Sequence, residues 1–295
     1  MSTCFGPGAD AELLDRQPFK FHHGLLGHPA LTLENLARVI PALPQKNVTY
    51  SNALLKTSDD FEGTFDKRPT GRSIEETIES IRVSDSYVMV NSPQLHPSFA
   101  ELYKELISEV QGLMKARGLG TVAVDPKLFL FIASPNSITP FHIDRYSTFL
   151  MQFRGSKQVY VFAPWDERVV SAPHCEAYVA YRNTKLPWRD ENDSLANCYD
   201  FQPGDAVHIP FVAGHHVRNG PDDVSISMSI IFNTPQTVAW RGALNFNYRA
   251  RRILSRVGMA PTAVGNEAHA LRDAAKSQVW GAVSTVQKAL QRQPH

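Results

Sequence analysis

Phe99, Leu102, Tyr103, Leu106, Ile107, Val110, Leu113 and Met114 recur three and four residues apart. That spacing lays them along one face of a helix. Ser98 and Glu101 stand where a capping box would open it. The stripe reads as core, with no catalytic meaning. Ser73 and Glu76 form a second capping-box pattern, ahead of Ile74, Ile78 and Ile81. Residues 1–120 are therefore expected to be mostly helical, interrupted by a short strand at 87–90.

The period changes after residue 121. Residues 128–132, 148–153 and 158–162 are short β-type runs, and 224–230 alternates apolar residues with serine. A period of two predicts a strand buried on one face only. Turn signals at 154–156, 202–205 and 219–222 separate the runs. Short strands joined by Gly/Pro turns argue for a β-barrel or sandwich. Residues 166–200 form a long excursion, and excursions of that length are often functional. Residues 239–295 return to helical spacing, with one segment over 244–257 and another over 267–290. Arg249, Arg251, Arg252 and Arg256 on the first are expected to be a solvated face.

Composition narrows the class. The 295 residues carry 30 Lys+Arg against 29 Asp+Glu, a formal charge of +1. That balance argues against a general nucleic-acid or membrane-surface binder. No apolar run approaches the roughly 20 residues of a membrane span. The N-terminal residues lack the basic and apolar regions of a secretory signal. The three cysteines, Cys4, Cys175 and Cys198, form no CxxC pair. A reduced, cytoplasmic protein is the expectation.

Two segments carry chemistry. In Thr139-Pro-Phe-His142-Ile-Asp144, the alternation of a strand sends His142 and Asp144 to the same side. The second is Gly204-x5-Pro210-x4-His215-x3-Asn219, whose histidine lies 73 residues after His142. Two imidazoles and a carboxylate on one face of an iron leave open positions, as in non-haem Fe(II) oxygenases. The plain alternative is that they are hydrogen-bonded core groups.

The Gly204–Asn219 segment also resembles the second cupin signature. Residues 139–164 resemble the Jumonji C/cupin-like branch of the Fe(II)- and 2-oxoglutarate-dependent oxygenases, above all its asparaginyl hydroxylases acting on hypoxia-inducible factor. The likeness covers about residues 128–233. It implies a mainly β (α+β) fold, a double-stranded β-helix (jelly-roll, cupin-like) core over 121–238 flanked by helices. It implies Fe(II) on His142, Asp144 and His215, with 2-oxoglutarate and O2 as cosubstrates. Thr139, three residues before the first histidine, and Lys157, fifteen after it, match residues on the distal carboxylate of 2-oxoglutarate. Tyr87 and Ser229 are further candidates near the cosubstrate. Thr148 replaces an asparagine that the family uses for hydrogen bonding. Ala213-Gly214 replace bulky residues, which would widen the pocket or admit part of the excursion.

The resemblance further implies hydroxylation of a C–H bond with release of succinate and CO2. A protein or peptide side chain is the expected substrate, and a small molecule such as an amino acid is the second choice. A metal-binding cupin sensor without turnover is the reading from another class. His216 should point away from the metal, and His208 neighbours the motif. His22, His23 and His28 are expected in loops, and Cys175, Cys198 and His174 are not expected to bind metal. Tyr181, Arg182, Trp188 and Arg189 are candidates for substrate recognition. Leu271, Ala275, Val279, Val283, Val286 and Leu290 could form a homodimer face.

Overall fold

The computed structural model describes residues 4–51, 54–66, 74–265 and 267–291. Its frame is two antiparallel sheets face to face. The strands are β1 (Phe19–His22), β2 (Val48–Ser51), β3 (Tyr87–Asn91), β4 (Val124–Ala133), β5 (Ile138–Ile143) and β6 (Ser147–Arg154). They continue with β7 (Lys157–Val161), β8 (Asn197–Phe201), β9 (Asp205–Ile209), β10 (Gly214–Asn219) and β11 (Ser225–Asn233). The larger sheet has the order β1-β9-β6-β11-β4-β3-β2, and the smaller β5-β10-β7-β8. β4, β11, β6 and β9 opposite the smaller sheet make the eight-stranded jelly roll. β1, β2 and β3 extend the larger sheet. The expected double-stranded β-helix with flanking helices is the fold observed.

The helices are α1 (Leu33–Ala42), α2 (Phe61–Asp66), α3 (Ile74–Glu79), α4 (Ala100–Ala116), α5 (Ala172–Val179), α6 (Pro235–Leu254) and α7 (Ala270–Gln291). Leu102, Leu106, Val110 and Met114 of α4 are fully buried against the outer face of the larger sheet. Each such side chain contributes roughly 1.5–3 kcal/mol through burial. The expected capping box at Ser98 does not form. A short 3-10 turn precedes α4, and the Ser98 hydroxyl sits between His96 Nδ1 and the Asn35 amide. Ser73 of the other box lies outside the described residues.

Residues 1–120 hold the expected helices but also three strands, of which only β3 was foreseen. β1 and β2 are four residues each. Their order comes from pairing with β9 and β3, which no local pattern announces. α6 starts earlier than its apolar spacing suggests, because Thr234 and Thr237 form a reciprocal cap and Pro235 fits the first turn. Arg251 departs from the solvated-face reading. Its Nε and Nη2 donate to the buried carboxylate of Glu176 on α5 at 2.7 and 2.8 Å. Arg252 and Arg256 are exposed.

β11 corrects a further expectation. All nine of its residues are buried, so neither face meets solvent. Ile226, Met228 and Ile230 join the core under α4. Ser225, Ser227 and Ser229 point into a cavity of about 220 Å3 between the sheets.

Candidate metal centre

β5 and β10 are antiparallel neighbours with His142 directly opposite His215. Asp144 follows β5. One ligand atom from each of His142, Asp144 and His215 lies within 4.8 Å of the others, the only such metal-suited group among the described residues. The imidazoles are oriented by their backbone. His142 Nδ1 donates to Pro140 O at 2.8 Å, and His215 Nδ1 to Ala213 O at 3.1 Å. Both Nε2 atoms are thereby left as lone-pair donors, the second-sphere arrangement that suits a metal ligand. Burial and the neighbouring His215 hold the His142 pKa well below its usual range, so its ring is neutral. Thr148 Oγ1 donates to Asp144 Oδ2 at 2.8 Å and fixes that carboxylate. The donor set and its orientation fit a divalent transition metal.

The register explains Thr139. Between His215 and Val217 on β10, two steps are matched by three on β5, from His142 to Thr139. This bulge returns Thr139 to the face of His142 despite their odd spacing. Thr139 lines the cavity and shares a hydrogen bond with the Tyr87 hydroxyl. Burial pushes the Tyr87 pKa up, so it remains a neutral phenol.

Lys157 opens β7 and points into the same cavity. Gly155 makes the preceding turn with φ +68°, and a Cβ there would lie 2.6 Å from Val224 O. Lys157 Nζ donates to Ser227 Oγ at 2.9 Å. Among the described residues no carboxylate pairs with it. Burial lowers its pKa to about 7. An unpaired buried ammonium is costly, and an incoming anion relieves that cost. Lys157 lies opposite Asn219, four residues along β10 from His215. At about 3.3 Å per residue the two Cα atoms are roughly 13 Å apart. Lysine reaching back from one end and imidazole from the other leave room for a short dicarboxylate.

Other candidates sort by contact. His216 points away and bonds Asp193 Oδ1 through Nε2 at 2.7 Å. His23 follows β1 and is buried, with its Nε2 hydrogen-bonded to Gln152 O at 2.8 Å. His22 lies on β1 beside Asp205, while His28 caps Ala30 N from a loop. Gly214 does not widen the metal cavity. Its missing side chain makes room for the Phe141 ring, which packs on Trp188 of the excursion at 4.8 Å. Trp188 is therefore packing. Arg182 and Arg189 are exposed, and among the described residues neither forms an ion pair. Ser229 lines the cavity.

Sequence reasoning missed part of the cavity wall. Phe61 of α2 stacks on His142 with ring centroids 4.1 Å apart. Glu62 pairs with Arg145, whose Nη2 donates to Tyr178 O at 2.6 Å. Tyr181, a recognition candidate, lies on the Arg145 guanidinium at 3.7 Å. Phe61 and Glu62 stand about 80 residues ahead of the first ligand with no motif of their own.

The chain matches the family model of the cupin-like domain over residues 46–238. No curated protein matches it. Among solved structures it is similar to Escherichia coli YcfD, with TM-score 0.50 and 16% identity, covering 96% of this chain and 66% of that one. A structure of YcfD, described as a ribosomal oxygenase from Escherichia coli in complex with cobalt and 2-oxoglutarate, gives TM-score 0.47 and 16% identity, with coverage of 95% and 65%. Oxalate decarboxylase from Bacillus subtilis gives TM-score 0.26 and 16% identity, with coverage of 43% and 27%. The chain thus spans just under two thirds of the YcfD length. At such identities the likeness speaks to the fold. The family match extends over more than half of the chain, and on it the protein belongs to the cupin-like domain family.

Proposed function

We propose that this protein is an Fe(II)- and 2-oxoglutarate-dependent dioxygenase that hydroxylates a C–H bond of a protein or peptide side chain. The observation that carries the reading is Lys157. It is a buried cation without an anionic partner, and it lines the same cavity as the His-Asp-His group. A cupin that only held a metal would have no use for a costly ammonium at the far end of the cavity.

His142, Asp144 and His215 would hold Fe(II) through both Nε2 atoms and the carboxylate. Lys157 would take the distal carboxylate of 2-oxoglutarate. Ser227 accepts from Lys157 and donates to no described group, so its hydroxyl proton is available to the same carboxylate. Thr139 and Tyr87 line that end as neutral hydroxyls. Bound iron and 2-oxoglutarate would together supply the oxidant from O2, with succinate and CO2 released. The chain's own tasks are then to orient and to exclude water. Thr148 holds Asp144 in place. Phe61 shields His142. The Arg145, Glu62 and Tyr178 cluster would shape the cavity wall that the substrate C–H bond passes.

The family resemblance supports a side chain of a protein as substrate, with a small molecule as the alternative. Exposed Leu271, Val279 and Val283 on α7 support a homodimer through the C-terminal helices. The Val286 and Leu290 side chains lie outside the described residues. The free cysteines support a reducing, cytoplasmic setting. Among the described residues no helix is long and apolar enough to cross a membrane.

The test is an anaerobic absorption titration of metal-free protein with Fe(II) and then 2-oxoglutarate. A saturable visible charge-transfer band is expected, absent in His142→Ala and weakened in Lys157→Ala. Metal binding without a band would favour the cupin sensor. Incubation with peptide pools, read by mass for a gain of one oxygen, tests the substrate class. Light scattering with and without residues 262–295 tests the dimer.

A further inference from the structure

Residues 4–45 precede the stretch matched by the cupin-like family model. One of them, Asp15, is fully buried beside the metal ligands' own chain segments. Its carboxylate accepts from Ser147 Oγ at 2.7 and 2.9 Å and from the Phe211 backbone N–H at 3.0 Å. Ser147 is three residues after Asp144, and Phe211 is four before His215. The Asp15 backbone N–H donates to His208 Nε2 at 3.0 Å. That contact leaves the His208 proton on Nδ1, which donates to Thr148 O at 3.1 Å. Burial keeps His208 neutral, with its pKa lowered to about 3. Thr148 in turn holds Asp144 Oδ2. The Asp15 carboxylate thus holds Ser147 and Phe211, each joined to a ligand by a few residues of backbone. Its N–H, which any residue but proline would supply, reaches Asp144 by way of His208 and Thr148.

The backbone supplies a second observation. Val212 has φ +54°, a conformation that a β-branched residue rarely adopts. Such strain persists only where the surroundings over-determine it. Here Val212 N–H donates to Asp144 O at 3.2 Å, and Ala213 N–H to Pro210 O at 3.0 Å. The next carbonyl, Ala213 O, orients His215. Asp15 fixes the start of this turn through Phe211.

We propose that Asp15 is a positioning residue for the metal centre, so that the segment ahead of the cupin-like domain sets the geometry of Asp144 and His215. The proposal rests on the metal reading above. Hydrogen-bonded partners of metal ligands commonly change metal affinity 10–100-fold when removed, and Asp15, one contact further out, is expected at the lower end of that range. Loss of a carboxylate serving stability alone would leave the affinity unchanged.

The experiment compares Co(II) affinity and the Co(II) ligand-field spectrum in the full chain, with thermal unfolding alongside. Asp15→Ala is expected to weaken Co(II) at least tenfold and to shift the spectrum. Asp15→Asn keeps an oxygen for Phe211 N–H and is expected to stay within threefold of wild type. Leu106→Ala, in the core under α4, controls for lost stability and is expected to bind normally. Wild-type affinity in Asp15→Ala would overturn the proposal. If Asp15→Ala does not fold, Ser147→Ala takes its place, with a loss of about threefold expected. An unchanged affinity there would overturn the proposal. Failure of wild type itself to bind Co(II) would sink the metal reading first and this proposal with it, so the two failures are told apart.

Discussion

The two faces of β11 are equally buried and do opposite work. Ile226, Met228 and Ile230 fill the space under α4 and contribute to stability through apolar burial. Ser225, Ser227 and Ser229 point the other way, leave the cavity open and place a hydroxyl beside Lys157. Large side chains on that inner face would pack better and would fill the cavity. Stability is thus placed on the outer wall, while the inner wall carries the polar groups that line the cavity.

Breaking the inner wall at the metal end should have the largest effect. His142→Ala removes one of two imidazoles, and metal binding measured by calorimetry is expected to disappear while the unfolding temperature of the metal-free protein changes little. The outer wall should respond in reverse. Met228→Ala is expected to cost about 2–5 kcal/mol in denaturant unfolding, the usual range for emptying a buried site. Its affinity for 2-oxoglutarate should stay unchanged.

Lys157→Met sharpens the contrast, because it should help the fold and harm the site. The lysine's pKa falls from 10.5 to about 7 on folding. The unfolded chain therefore holds the proton more tightly between these values, and stability rises with pH across the window. The full penalty of the charged lysine is present below pH 7. The gain from Lys157→Met should be largest there, roughly 2–5 kcal/mol, and vanish above pH 10.5. Equilibrium unfolding at several pH values measures it. 2-Oxoglutarate binding should be strongly weakened in the same variant. In wild type its affinity should fall as pH rises through 7, as the free protein loses the ammonium.

Ser227→Ala should give the smallest change, about tenfold in 2-oxoglutarate affinity, equivalent to about 1.4 kcal/mol. Metal affinity should be unaffected. A weaker metal site in Ser227→Ala would blur the separation between the two ends of the cavity.

Much of this was legible in the sequence because the informative residues are close together along the chain. His142 and Asp144 share a strand face, and the Gly204 to Asn219 spacing announces the second ligand strand. The stripe over 99–114 needed only the period of a helix. What was hidden depends on distant segments meeting. The serine face of β11 looks solvated in the sequence because nothing local shows that the smaller sheet closes over it. β1 exists through its pairing with β9, and Phe61 stacks on His142 from 81 residues earlier in the chain. Thr139 faces the site only because β5 is bulged. Asp15 is a single acidic residue in an unremarkable stretch, and its role rests on partners 132 and 196 residues away.

The central claim is that one cavity holds a metal at the triad and a dicarboxylate reaching to Lys157. A crystal structure grown anaerobically with Mn(II) and 2-oxoglutarate tests it most directly. The expected result is an anomalous peak among His142 Nε2, Asp144 Oδ and His215 Nε2, with the distal carboxylate on Lys157 Nζ and Ser227 Oγ. A metal elsewhere, or a keto acid that leaves Lys157 untouched, would contradict it.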